Sequence, residues 1–260
     1  MQNSMYTALF GALTNEHRMN NIADNLANVN TTGYKRDMLS FRDTFLMYAH
    51  DQIMEAQSHL KQEKLFPEPM HLARARLAYA KTDFEQGSLK ATNAPFDLAI
   101  AGNGFFKVRT PQGEFYTRNG HFQVTNEGVI VTEQGFPVLG DGGELTVPAG
   151  VKNFTIAENG AIYADGGLVG QIGLVDVDNH LFLEKLGGNM YRQRPGTNLA
   201  ETEADGYMAQ GFLEVSNVNP VYEMVNMIEA QRQYEAYAKV MQSTDAVDRE
   251  TISKVGRGRA

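Results

Sequence analysis

The two ends of this chain constrain it most, because both place apolar residues at helical spacing while the stretch between them does not. Met5, Leu9, Ala12, Met19, Ala23 and Leu26 follow one another in heptad steps of three and four, with one polar interruption at Glu16. That spacing makes a helix that lies against another helix. Near the other end Met227, Ala230, Tyr234, Tyr237 and Met241 step in the same way. The first helix is expected to start at the capping residues Asn3 or Ser4 and to run to about Asn28. The Asn28-Val29-Asn30-Thr31-Thr32 run and Gly33 should end it, since Asn and Thr side chains compete for backbone hydrogen bonds. Asn219 as cap and Pro220 at the first helical position open the last helix, expected to reach about Ser253.

Between the helices the period changes. Met38, Phe41, Phe45 and Tyr48 have spacing that would let a helix resume, within a connector over residues 36–71 closed by Pro67 and Pro69. From residue 72 Ala73, Ala75, Leu77 and Tyr79 alternate with Arg74, Arg76 and Ala78, a strand period. Short β-prone pieces then recur, separated by turn words such as Asn119-Gly120, Asn126-Glu127-Gly128 and Gln134-Gly135. The expected class is α+β: long terminal helices pairing as a coiled-coil-like assembly domain (residues 1–35 with 216–255), and a central, mainly antiparallel β-domain (residues 72–215). The ending over residues 256–260 reads as a flexible basic tail. Residues 124–131 echo residues 156–163 at an offset of 32. Two hairpins obeying the same turn chemistry explain this more simply than a duplicated unit.

Composition narrows the function. A net charge of −8 argues against nucleic acid as a partner, which would need clustered Lys and Arg. The chain has no cysteine, so disulfides and thiolate metal sites are excluded. Residues 1–10 lack a basic region followed by a continuous apolar run, so no cleaved signal peptide is expected. No apolar stretch is long enough to span a membrane.

Little in the chain points to chemistry. The six histidines are scattered without metal-ligand spacing, and no metal or cofactor is expected. Gly102-Asn103-Gly104 is followed by strand-like Phe105-Phe106-Lys107-Val108, so it offers no helix N-terminus to a pyrophosphate. Asp141-Gly142-Gly143 and Asp165-Gly166-Gly167 read as tight turns. No nucleophile can be paired with a base, and no catalytic residue is assigned. The alternative reading is a secreted β-domain with binding or glycan-hydrolysing activity through loops bearing Asp141, Asp165 and Asp176. A Met and aromatic stripe often packs within one chain. Two heptad helices alone make a thin core, so contacts between chains are the stronger expectation.

Specific words in the sequence resemble a family. Ala27-Asn28-Val29-Asn30-Thr31-Thr32-Gly33-Tyr34-Lys35 is similar to the N-terminal signature of bacterial flagellar rod and hook axial proteins, and Ser216-Asn217-Val218-Asn219 to their C-terminal signature. Residues 97–106 and Tyr116-Thr117-Arg118-Asn119-Gly120 resemble the family's central domain. The turn and strand of residues 132–140 look most similar to the proximal-rod branch, with the distal-rod branch close behind. The resemblance implies a non-catalytic subunit of the basal-body rod that polymerises through its terminal helices with copies of itself and other rod subunits. It also implies an outward β-domain, torque transmission around an export channel, passage through the flagellar type III export apparatus without signal cleavage, and a periplasmic location.

Overall fold

A computed structural model describes residues 2–47, 71–148, 150–151, 153–197 and 200–257. Helix α1 spans Gln2–Ala27 and helix α2 spans Pro220–Arg257, with short antiparallel strands between them. The chain falls into two compact units. One comprises the described parts of Met1–Ala23, Met38–Lys81 and Met224–Ala260, the other Asp24–Asp37 and Thr82–Glu223.

The expected resumption of helix through Met38, Phe41 and Phe45 does not occur. Asp37–Met47 is a strand paired with strand His71–Thr82. The run carries Phe41, Thr44 and Phe45, residues that favour strands, and over eleven residues apolar spacing does not separate helix from strand. Tyr48 and the rest of the proposed connector to residue 70 lie outside the described residues, as do residues 258–260 of the tail.

The second unit is organised on strand Phe105–Thr110. It pairs with Gly113–Thr117, with Val138–Gly140 and with Leu174–Val177, all antiparallel. Successive strand residues face opposite ways, so Phe105 and Phe106 seed separate cores. Phe106 packs with Leu98, Ile100, Val108, Phe122, Ile130, Val138 and neighbours. Phe105 packs with Tyr116, Val177, Leu183 and Tyr191. Burying side chains of this size contributes about 1.5–3 kcal/mol each. Strand Leu98–Ala101 is covered by Tyr207–Gln210, and Leu89–Ala91 by Phe212–Glu214, which brings the end of the β-region back beside its beginning.

The echo at offset 32 is structural. Gly128 N donates to Thr125 O and Gly160 N to Ala157 O, both at 2.9 Å, and both glycines have φ near +80°. The strands beyond the turns match too, with Val147 N donating to Gly128 O and Ile172 N to Gly160 O. A left-handed glycine closing each short turn accounts for the likeness of the words.

In the first unit the two helices run antiparallel. Arg18 Nη2 lies 3.8 Å from Glu229 Oε2, and a Cβ built on Gly11 would stand 2.5 Å from the Tyr237 ring. Gly11 therefore makes the room that Tyr237 occupies.

Candidate assembly site

The faces of the terminal helices divide into a covered seam and an open one. On α1 the structure buries Ala8, Ala12, Asn15 and Ile22 and half-buries Met19 and Leu26. Met5, Leu9 and Ala23 are exposed, and Tyr6 and Leu13 with them. Sequence spacing thus identifies Ala12, Met19 and Leu26 as turned inward, but their covered companions are Ala8, Asn15 and Ile22 rather than Leu9, Glu16 and Ala23. The polar Asn15 hides that register. On α2 Ala230 is buried, Met227, Tyr237 and Met241 are half-buried, and Tyr234 is exposed. A second set, Val221, Tyr222, Met224, Val225 and Ile228, stands open on the first turns of α2, each more than half exposed.

The two signature words meet each other within the second unit. Gly33 N donates to Glu214 O at 2.8 Å, Arg36 N to Asn217 Oδ1 at 2.8 Å, and Asn217 N to Tyr34 O at 3.4 Å. Asn217 Nδ2 also donates to the carbonyls of Asp83 and Glu85. Gly33 takes a φ of +67°, and a Cβ there would come within 2.6 Å of the Arg118 carbonyl, so only glycine fits. Asn28 Nδ2 donates to Asp24 O, and Thr32 O accepts from Asn189 Nδ2. Asn30 is exposed. Ser216 Oγ accepts from Val218 N, and Val218 is buried. Asn219 caps α2, its Oδ1 accepting from Val221 N and Tyr222 N.

Beneath these contacts lies a buried ionic group. Lys35 Nζ is 2.6 Å from Glu214 Oε1 and also donates to the carbonyls of Phe84 and Glu85. The other carboxylate oxygen faces Arg118 Nη1 at 3.4 Å, and Gly87 N donates to Oε1. Burial pushes the Lys35 ammonium below the ordinary lysine range, and the Glu214 charge opposes that shift. Burial likewise lowers Arg118, against the same carboxylate.

A second polar knot fixes the turn from helix into strand. Asn25 Oδ1 accepts from Tyr34 OH and Asp37 N, while Asn25 Nδ2 donates to Asp37 O at 2.9 Å. Lys185, reaching over from strand Leu183–Leu186, donates to Lys35 O and Asp37 Oδ2 and sits 3.7 Å above the Tyr34 ring. Neither Asn25 nor Lys185 belongs to a signature word; the partners of Lys185 are remote in sequence, and those of Asn25, Tyr34 and Asp37, meet it only once the chain turns back from the helix. The terminal placement of Asn25 in α1, just before the Asn-rich stop, was the available signal.

The loop carboxylates do not converge. Asp165 Oδ1 accepts from Asn153 N across the ends of the paired strands Phe154–Ile156 and Ala161–Ala164, and Asp176 Oδ1 lies 2.9 Å from His180 Nε2. Asp141 lines an open polar cleft of about 540 Å³ with Glu158 and Glu201, whereas Asp165 and Asp176 are not among its lining residues. Among the described residues no cluster of three or more His, Asp or Glu could hold a metal, and no helix is long and apolar enough to cross a membrane.

Comparison with known proteins sets these words in context. Residues 5–35 match the sequence model described as flagella basal body rod protein, 99–164 that of the flagellar hook protein FlgE/F/G D1 domain, and 209–254 that of the flagellar basal body rod FlgEFG protein C-terminal. The chain is 36% identical to the flagellar basal-body rod protein FlgF of Caulobacter vibrioides, over 99% of both chains. The chain belongs to the flagellar basal-body rod protein family. FlgG proteins of that family are similar as well, that of Buchnera aphidicola (subsp. Acyrthosiphon pisum) at 36% identity over 93% of this chain and 95% of its own, and that of Bacillus subtilis at 30% over 97% and 99%. Both signature words therefore lie in regions shared with rod proteins, and in the structure those regions bond directly to each other.

Proposed function

We propose that this chain is a non-catalytic structural subunit of the bacterial flagellar basal-body rod. The observation that carries the reading is the set of apolar side chains left open on the terminal helices: Met5, Leu9 and Leu13 on α1, and Val221, Val225 and Ile228 on α2. Exposed apolar rows of this kind are covered in an assembly, and in a rod protein the neighbours are copies of this chain and other rod subunits. Residues 1–35 with 216–255 then form the assembly part, through coiled-coil-like packing, and residues 72–215 the outward β-domain. The shaft so built transmits torque and surrounds an export channel. Passage through the flagellar type III export apparatus without a cleaved leader would bring the subunit to its periplasmic position. Within the rod a proximal place is proposed on the turn and strand of residues 132–140 and the likeness to FlgF, with a distal-rod or hook-type place as the alternative, since FlgG relatives are as similar.

Immunogold labelling of purified hook–basal bodies, with antibody raised to residues 100–180, tests this. Label on the rod close to the inner membrane ring is expected. Label on the distal rod or hook would correct the position, and unlabelled particles with an intact rod would overturn the function.

A further inference from the structure

Three Asn–Gly pairs occur in the chain, Asn103–Gly104, Asn119–Gly120 and Asn159–Gly160. Such pairs are chemically labile because glycine has no side chain to shield its amide nitrogen. That nitrogen, on losing its proton, attacks the side-chain carbonyl carbon of the asparagine. A C–N bond forms, ammonia leaves with the proton it gains from solvent, and a succinimide ring results. Water then opens the ring at one carbonyl or the other, giving aspartate or isoaspartate. In a folded chain the asparagine side chain must be free to turn, and the glycine N–H must not be held in a hydrogen bond.

The fold treats the three pairs differently. Asn119 is buried and its Oδ1 accepts from His121 N at 3.0 Å, so its side chain is not free to turn. Asn159 is exposed, but its Oδ1 accepts from Ala161 N at 3.1 Å and Gly160 N donates to Ala157 O at 2.9 Å. Asn103 is exposed while Gly104 is buried against Ala204 and Leu174, and among the described residues neither the Asn103 side-chain amide nor Gly104 N has a hydrogen-bond partner.

We infer that Asn103 is a deamidation site, the one Asn–Gly pair of the three that the folded chain leaves open to succinimide formation. The position matters to the rest of the unit. Gly102 O, one residue earlier, accepts from Arg118 Nη2 at 2.9 Å, and Gly102 N donates to Gln86 Oε1 at 3.1 Å. Isoaspartate at 103 inserts a methylene into the backbone between strands Leu98–Ala101 and Phe105–Thr110, beside the anchor of the arginine that faces Glu214. Aged subunits thus acquire a negative charge and a lengthened turn at this place.

The test is to incubate the full-length chain at mildly alkaline pH, folded and in urea, and to map deamidation by peptide mass spectrometry. Isoaspartate is read independently as methyl incorporation by a protein isoaspartyl methyltransferase. Both signals should accumulate in the Asn103 peptide of the folded chain while the Asn119 and Asn159 peptides stay at baseline, and all three should react in urea. Asn103→Gln, with the same group on a longer arm, should lose the folded-state signal. The inference is overturned if folded Asn103 is as inert as Asn119 while reacting in urea. It also fails if Asn119 or Asn159 reacts as fast in the folded chain, or if Asn103→Gln keeps the signal.

Discussion

Lys35 Nζ lies 2.6 Å from Glu214 Oε1, with both side chains about 1% exposed. One residue ends the first signature word and the other precedes the second, so the ion pair fastens the start of the β-unit to its finish. Two charges so deeply buried have given up hydration, and what holds them is the full set of partners: two carbonyls on the lysine, a backbone N–H and Arg118 on the carboxylate.

Removing one member should therefore cost more than an exposed pair would. Lys35→Met leaves the Glu214 carboxylate buried with only the Gly87 N–H and the longer contact to Arg118, and should destabilise the β-unit by about 3–5 kcal/mol. Urea unfolding of the variant measures this, and a loss below about 1 kcal/mol, the scale of a surface pair, would contradict the described burial.

Gly33→Ala should destabilise through the backbone. The left-handed φ and the close Arg118 carbonyl together predict a loss of about 2–4 kcal/mol. The same substitution at Gly135, whose φ of +83° lies in the same left-handed region but which has nothing near its Cβ, isolates the conformational part and should cost less in the same unfolding assay.

Alkaline pH should weaken the β-unit. Burial, with help from neighbouring carboxylates, raises the phenols of Tyr34, Tyr116 and Tyr191 well above the ordinary tyrosine value. A group whose folded pKa is raised contributes stability below its unfolded value, about 10 for tyrosine, and loses it as pH climbs further. Burial lowers Lys35 and Lys185, which acts oppositely: the unfolded chain holds those protons longer, so stability rises with pH up to the ordinary lysine value. The profile should thus turn downward above about pH 10. Phenolate absorbance of the native chain at about pH 11.5, where unfolded tyrosines are almost fully ionised, should fall short of the unfolded chain by about three tyrosines, and equal absorbance at retained fold would contradict this.

Leu13→Asp places a charge in the exposed apolar row of α1, within the first unit and outside the β-unit. We expect loss of incorporation into rods and of swimming, with the β-unit's thermal transition kept. Normal rod assembly by this variant would count against the helices as the assembly element.

The terminal helices and the β-rich middle were legible because each rests on local periodicity and turn chemistry. The covered register of α1 was not, since Asn15 occupies a seam position where an apolar residue would have announced it. The strand Asp37–Met47 was misread because Met38, Phe41 and Phe45 satisfy helix spacing over too short a run. The signature words were readable as words, but nothing local shows that Gly33 meets Glu214 or that Asn217 meets Tyr34 and Arg36, residues about 180 positions apart. Lys185 escapes for the same reason, while Asn25 meets Tyr34 and Asp37 only through the turn that follows the helix.

The most direct test of the proposed role asks whether the open face of α1 is covered in the assembled particle. Because the chain has no cysteine, Leu9→Cys supplies a single thiol on that face, and Leu168→Cys one on an exposed strand of the β-unit. Both variants are labelled with a bulky maleimide as soluble protein and within purified hook–basal bodies from motile cells. The thiol at position 9 should react in the free subunit and be protected in the rod, while the thiol at position 168 should react in both. Equal reactivity of position 9 in the free and assembled states would contradict it.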